Sequence, residues 1–510
     1  MNADSGTARA PAKRKAWIPA DFVRAVLKGH SLLGLAFAAA IYLVCLTGTV
    51  AVFAREFQRW ENPAIAPMTA ASPEAVQTAL SQAVARAGPG VEHVYMTLPG
   101  AELPWLLVTT DVAGRTQSWA ADESGRITES AASPWTDFLT ALHINLHLPR
   151  SWGIFLVGLT GVALLSSLIS GLFAHPRIFR DAFHLRLGGS RRLQEADLHN
   201  RIGVWALPFH VLVSLTGALL GLTTIIVGVL GLALFQGDVN RVYDLFVPPH
   251  PADNPEAAPL LDLRPMFAQV AERAPGGRVE YVFLEHPTEM GGAALFNVDD
   301  GSSNLTNVDA YAFDRTGRLY HASPARENNL GEQILGALGT LHFGWFGGGI
   351  IKLAYGLLGL GLTYLAAGGV FIWLARRRDK GRAAPGLERL WTAVVWGQPL
   401  ALAASAVAVI LIGGAGAHDV TVALPLAVWG GVTLACLAAA TVMSPVRLSG
   451  VGRGASGALL VVVVLAHAAL AGGRTADMTA WAVNGWLMAI GLLLLATVLK
   501  RPTTNSGARR

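Results

Sequence analysis

One stretch of this chain is written twice. Residues 30–48 read HSLLGLAFAAAIYLVCLTG, and residues 199–217 read HNRIGVWALPFHVLVSLTG. In both copies a glycine follows the histidine at one offset (Gly34, Gly203), and a Thr-Gly pair follows at another (Thr47 and Gly48, Thr216 and Gly217). The echo continues downstream. Val91, Glu92 and Pro99 are matched by Val279, Glu280 and Pro287, and Asp122, Gly125 and Arg126 by Asp314, Gly317 and Arg318. Each half then reaches a Leu-His pair, Leu142-His143 and Leu341-His342, ahead of another glycine-rich apolar run. The unit is therefore helix, soluble segment, helix, repeated in the same order.

The medium follows from composition. A chain of 510 residues that is 52% hydrophobic and 14% charged, with mean hydropathy +0.44, is a polytopic membrane protein. Spans are expected near 31–53, 152–174, 203–235 and 347–375, then near 391–413, 420–443, 455–472 and 479–499, each about the 20 apolar residues a bilayer needs. The 203–235 span is long enough to tilt or to continue past the bilayer. Lys and Arg collect before span one, between spans two and three, and after span four (Arg376, Arg377, Arg378, Lys380, Arg382). That alternation puts both termini in the cytoplasm. The net charge of +5 is accordingly topology and not a nucleic-acid signal. The N-terminal apolar run reads as a retained signal anchor. The two cysteines, Cys45 and Cys436, give neither a disulfide framework nor a covalent haem motif.

The outer segments carry helix periodicity at 73–87, after the cap candidate Ser72, and near 264–273. Strand alternation appears at 91–97, 106–112 and 117–127, and again at 279–284, 293–298 and 310–321. Each segment is thus a small helix-plus-antiparallel-sheet module.

Four histidines occupy equivalent places in the repeat. His30 and His199 open spans one and three, whereas His143 and His342 precede spans two and four. Parallel repeats are related by an axis along the membrane normal, which sets His30 opposite His199 and His143 opposite His342. Two neutral imidazoles facing across a gap suit the two axial positions of a b-type haem. Gly29, Gly34, Gly203, Gly344 and Gly347 to Gly349 leave room for a flat macrocycle, or serve helix packing. Interfacial histidines without a ligand, or a zinc or copper site, are the other readings. His147, His175 and His210 are alternative ligands; His210 lies roughly 16 Å along the helix from His199 at the α-helical rise. His467 is a lone membrane histidine, and His93, His184, His250, His286 and His321 read as surface residues.

On His30, Gly34 and Thr47-Gly48, on Leu142-His143 with Leu148, Pro149 and Gly153, on their second copies, and on Leu341-His342-Phe343-Gly344, residues 20 to 380 resemble the PepSY-associated transmembrane family. The resemblance implies a bacterial inner-membrane protein, often iron-regulated, and includes periplasmic ferric-siderophore reductases with two b haems. The expected fold is a polytopic α-helical membrane protein of about eight transmembrane helices with two periplasmic α+β PepSY-like modules. Its parts are a cytoplasmic N-terminus (1–29), repeat one (30–175), a cytoplasmic loop (176–198), repeat two (199–375), a basic linker (376–390), a four-helix membrane extension (391–499) and a tail (500–510). The extension departs from the family's minimal pattern.

The function implied is electron transfer through two bis-His haem b groups, on His30/His199 and His143/His342, to a ferric siderophore in the periplasm. The donor would be a quinol or a cytoplasmic or membrane reductase. A non-enzymatic module that binds a peptide or partner protein, or a transporter of iron chelate or haem, is the alternative. Trp105, Trp135, Trp152 and Trp345 are candidates for a docking groove, with interfacial anchoring the other role for Trp152 and Trp345.

Overall fold

The computed structural model describes residues 19–174, 191–243, 245, 251–302, 306, 308–413, 420–471 and 477–499. Repeat one opens with α1 (Ala20–Ala36), α2 (Ala38–Ala51) and α3 (Ala54–Glu61). Its soluble part is α4 (Pro73–Ala87), β1 (His93–Thr97), β2 (Leu106–Val112), β3 (Arg115–Ala121) and β4 (Ile127–Ser130). Two helices, α5 (Pro134–Asn145) and α6 (Arg150–Ala174), complete it. The start of α4 follows local rules: the Ser72 hydroxyl accepts from the Ala75 N–H at 3.1 Å and Pro73 opens the helix.

Repeat two runs through α7 (Arg191–Trp205), α8 (Leu207–Gly221), α9 (Thr223–Leu234) and the single turn α10 (Asn240–Tyr243). Then come α11 (Arg264–Arg273), β5 (Arg278–Glu285), β6 (Ala293–Asp299), β7 (Val308–Asp314) and β8 (Leu319–Ser323). It closes with α12 (Leu330–Phe343), begun by a capping box between Asn329 and Glu332, and α13 (Gly348–Asp379). The extension is α14 (Pro385–Gly413), α15 (Ala423–Val442), α16 (Pro445–Ala471) and α17 (Met478–Leu499).

The chain is a polytopic α-helical membrane protein. Among the described residues six helices are long and apolar enough to span, and two bent pairs, α1 with α2 and α7 with α8, pass the same test. The bends are 68° and 71°, and they fall at equivalent residues, Phe37 and Ala206, both near φ −100° with ψ close to zero. Second breaks at Phe53 and Leu222 are equivalent too. Pro208 contributes to the bend in the second copy because it has no N–H to donate to the preceding turn. The run 203–235 is therefore not one helix but parts of three.

The histidines of α1 and α7 correspondingly lie inside their helices and not at helix mouths, since the polar residues ahead of them are helical as well. The spans cross-pack between repeats. On α6, Gly158 and Gly161 let its backbone approach Gly221 and Ala218 of α8, and on α13, Gly356 and Gly359 meet Phe53 and Thr49 beside and within α2.

The two soluble modules are one body. Their strands form a single eight-stranded antiparallel sheet in the order β4-β3-β2-β1-β5-β6-β7-β8. The seam pairs His93 with Glu285, Tyr95 with Phe283 and Thr97 with Tyr281. One face packs on α4 and α11: Val76, Leu80, Met266 and Val270 close over Val94, Met96, Leu106, Val282 and Phe296. The runs 117–127 and 310–321 each split into a hairpin at Asp122–Gly125 and Asp314–Gly317, where Gly125 and Gly317 take positive φ. Lys352 of α13, 3% exposed, reaches Glu56 at 2.8 Å and Glu102 at 3.1 Å, tying the membrane helices to the sheet's loops. The helical body thus has a sheet side and a distal side.

Candidate functional site

On the sheet side, α5 and α12 present His143 and His342 to one another with ring centres 6.2 Å apart and planes within 18°. Each ring rests on the Thr-Gly pair of its own repeat. A Cβ on Gly48 would stand 2.6 Å from His143 Cε1, and one on Gly217 would stand 2.9 Å from His342 Cε1. The threonines beside them face the rings. His342 Nδ1 lies 3.0 Å from Thr216 Oγ1, which itself donates to the Leu212 carbonyl, so the imidazole N–H donates to the hydroxyl oxygen. His143 Nδ1 donates to the Val44 carbonyl at 3.0 Å, with Thr47 Oγ1 at 3.4 Å. A proton fixed on Nδ1 leaves Nε2 as the basic nitrogen in both rings.

This geometry fits one metal between two imidazoles. Nitrogens about 2 Å either side of a first-row metal ion put ring centres roughly 6 Å apart. The Thr-Gly pairs thus make room for the imidazole rings themselves, a use of these glycines that linear spacing does not suggest. Gly344 serves differently, ending α12 in the left-handed conformation at φ 72°.

On the distal side, His30 and His199 line one cavity of about 390 Å³. The lining is itself duplicated: Ser31 with Asn200, Gly34 with Gly203, Leu164 with Leu362, Gly171 with Gly369. His30 Nδ1 donates to the Ser167 carbonyl at 2.9 Å, with Ser170 Oγ at 3.2 Å. Gly171 and Gly369 face the His30 and His199 rings, at 3.3 and 3.5 Å from a Cβ built there. Gly34 has open space where a side chain would stand, as a flat occupant requires. Arg192, paired with Asp379, and Arg376 sit at the cavity's edge.

The other histidines divide clearly. His210 is fully buried on α8, bonds the Leu358 carbonyl of α13 at 3.4 Å and does not line the distal cavity. His147 donates to the Phe138 carbonyl at 2.9 Å and stacks on that ring, finishing α5. His467 is engaged at both nitrogens, with the Trp60 carbonyl at 2.8 Å and Asn484 at 3.0 Å, so it braces helices. His175, His184, His250 and His418 lie outside the described residues.

His93 and His286 are more than surface residues, because His93 stacks on Tyr95 and Phe283 at the sheet's seam and His286 lies beside His93. Cross-strand register, which needs the pairing of β1 with β5, is what brings them together. The expected groove tryptophans are corrected in part. Trp105 and Trp135 are 1% and 5% exposed and belong to cores, whereas Trp152 and Trp345 are 69% and 52% exposed as interfacial anchors would be. Among the described residues no three His, Cys, Asp or Glu side chains converge as a metal shell; the histidines are arranged in pairs.

A family model described as the PepSY-associated TM region matches residues 27–376. The chain is also similar to the uncharacterized protein PA4219 of Pseudomonas aeruginosa, 32% identical over 384 residues that cover 72% of this chain and 94% of that protein. The family match spans the duplicated half, where the two histidine pairs lie.

Proposed function

The chain belongs to the PepSY-associated TM family, and from that premise we propose that it is a di-haem electron conduit, reducing a ferric siderophore on the sheet side of the bacterial inner membrane. One observation carries the reading: His143 and His342 face each other at 6.2 Å, each seated on the Thr-Gly pair of its own repeat. His30 and His199, sharing the duplicated distal cavity, are the second ligand pair. Bound at these pairs, haem b supplies reversible one-electron chemistry at iron.

The protein's own residues do the rest. Val44 and Thr216 hold the sheet-side imidazoles by Nδ1, and Ser167 does so for His30. This leaves Nε2 of those rings for the metal. Arg192 and Arg376 place cations at the cavity edge, where the carboxylates of such a cofactor would be balanced. A quinol or a cytoplasmic or membrane reductase gives up an electron on the distal side, and siderophore Fe(III) accepts it on the sheet side as Fe(II). Hard oxygen donors suit Fe(III) better than Fe(II), so iron is freed with no bond of the organic ligand broken. The Lys and Arg cluster of 376–382 on the distal side supports a cytoplasmic distal side and a periplasmic sheet.

Purified protein should be red, with about two non-covalent low-spin haems, as bis-imidazole ligation gives. His143→Ala or His342→Ala should remove one and spare the other. Dithionite-reduced protein without oxygen should be reoxidised by ferric siderophore faster than by the iron-free ligand, with Fe(II) trapped in step. Colourless protein would favour the second reading, peptide or partner binding at the half-buried His93, Tyr95 and Phe283 face.

A further inference from the structure

The pseudo-symmetry of the sheet-side pair is broken by the C-terminal extension, which among the described residues is bonded to one of the two histidine helices and not to the other. On α5, the Trp135 indole N–H donates to Ser405 Oγ of α14 at 3.0 Å, with the Leu402 carbonyl of α14 at 3.3 Å, and Phe138 meets the Trp429 ring of α15 at 6.2 Å. The start of α5 is held as well: the Glu61 carboxylate accepts from the Trp135 and Thr136 amides, each at 2.9 Å. Glu61 belongs to α3, and α3 is itself bound to the extension. Arg59 donates twice to Asp477 at 2.7 Å, and Trp60 donates to Asn484 at 2.9 Å while stacking on His467.

The described part of repeat two has no counterpart to these bonds. Aligned on the histidines, Ile334 of α12 stands where Trp135 stands and is 56% exposed. Gly228, Val229 and Leu230 of α9 replace Arg59, Trp60 and Glu61. The His342 helix is held instead by the Tyr355 hydroxyl of α13, which donates to the Leu341 carbonyl at 2.6 Å.

We propose that the four-helix extension is a positioning element for His143 alone, acting through the bond from Trp135 to Ser405. The two ligands of the sheet-side pair are then held by different parts of the molecule, and His143 is coupled to the extension while His342 is not. The inference builds on the reading of His143 as a ligand, but its first test does not depend on bound haem.

In the full-length protein, Ser405→Ala removes the hydroxyl that accepts from the Trp135 indole and leaves the Leu402 carbonyl as its acceptor, whereas Trp135→Phe removes the donor itself together with part of the buried ring. Amide exchange across 134–145 should speed up about fivefold, the size of one lost buried bond, while 330–343 is unchanged. Ser405→Thr, which keeps the hydroxyl, should restore protection. In haem-loaded protein the low-spin signal of one haem should shift in S405A and that of the other stay fixed. Equal loss of protection in both segments, or none at 134–145, overturns the proposal. Selective exchange at 134–145 from protein that binds no haem would keep the coupling and reject the ligand reading.

Discussion

A glycine facing an imidazole is a sharper constraint than a glycine in a helix crossing. At Gly48 the nearest atom to an added methyl is His143 Cε1 at 2.6 Å, and at Gly217 it is His342 Cε1 at 2.9 Å. Each ring is also bound at Nδ1, so it yields only by giving up that bond. Gly48→Ala and Gly217→Ala should each cost about 1–3 kcal/mol, the range for overpacking, and displace one ring of the pair. Gly228→Ala, with nothing within 4 Å of the added carbon, is the matched control and should be neutral or slightly stabilising. Thermal unfolding and haem content of the three variants check this; equal behaviour at all three positions would falsify the seat assigned to the Thr-Gly pair. The repeat makes these glycines visible in sequence. Their role is not visible there, because nothing in a linear spacing shows that α5 folds back onto α2 and α12 onto α8.

Elements show the same limit from another side. The Asp-x-x-Gly-Arg segments are recognisable as a repeated pattern with Gly125 as a turn residue, yet the strand runs read from sequence, 117–127 and 310–321, extend across them. In the fold each is a hairpin turn pinned by its aspartate. Asp122 accepts from the Ser124 amide at 3.0 Å, the Ser124 hydroxyl at 2.6 Å and the Arg126 amide at 3.0 Å; Asp314 does the same with Thr316 and Arg318. The Ser124 hydroxyl is the main reason that Asp122 is held below the usual carboxylate range. At Asp314 burial works the other way, but the bonds from Thr316 and Arg318 together bring it down as well. A depressed carboxylate stabilises the fold above its ordinary pKa, and that contribution is lost as pH falls through the lower folded value. Acidification from about pH 5 to about 2 should therefore loosen both turns, in the window set by the ordinary carboxylate value near 3.9. Amide exchange at 122–126 and 314–318 would register it, and Asp122→Asn with Asp314→Asn should flatten the dependence. A wild-type profile that stays flat over that window would remove the aspartates from this role.

At the scale of the molecule, the shared sheet decides the topology. Separate modules would each expose an unpaired edge, β1 in one and β5 in the other, and pairing those edges satisfies both. Sequence alone suggests two modules because strand alternation reports faces, whereas which edges meet depends on strands separated by the intervening membrane helices. Strands hydrogen-bonded in one sheet must lie on one side of the bilayer, so the chain between β4 and β5 crosses it an even number of times. The 25-residue α6 crosses once. The bent α7–α8 pair with α9 must then cross an odd number of times, and its length supports one crossing. Duplication gives the same answer for α1 with α2, and the six long helices bring the total among the described residues to eight. Reporter fusions after residues 120 and 300 should therefore behave alike, and fusions after 190 and 380 should behave alike and oppositely. On the proposed orientation, with the arginines at 376–378 inside, the second set is expected to report a cytoplasmic location and the first a periplasmic one. Opposite locations for 120 and 300 would break the sheet, and with it the facing of His143 and His342, since the same axis relates both.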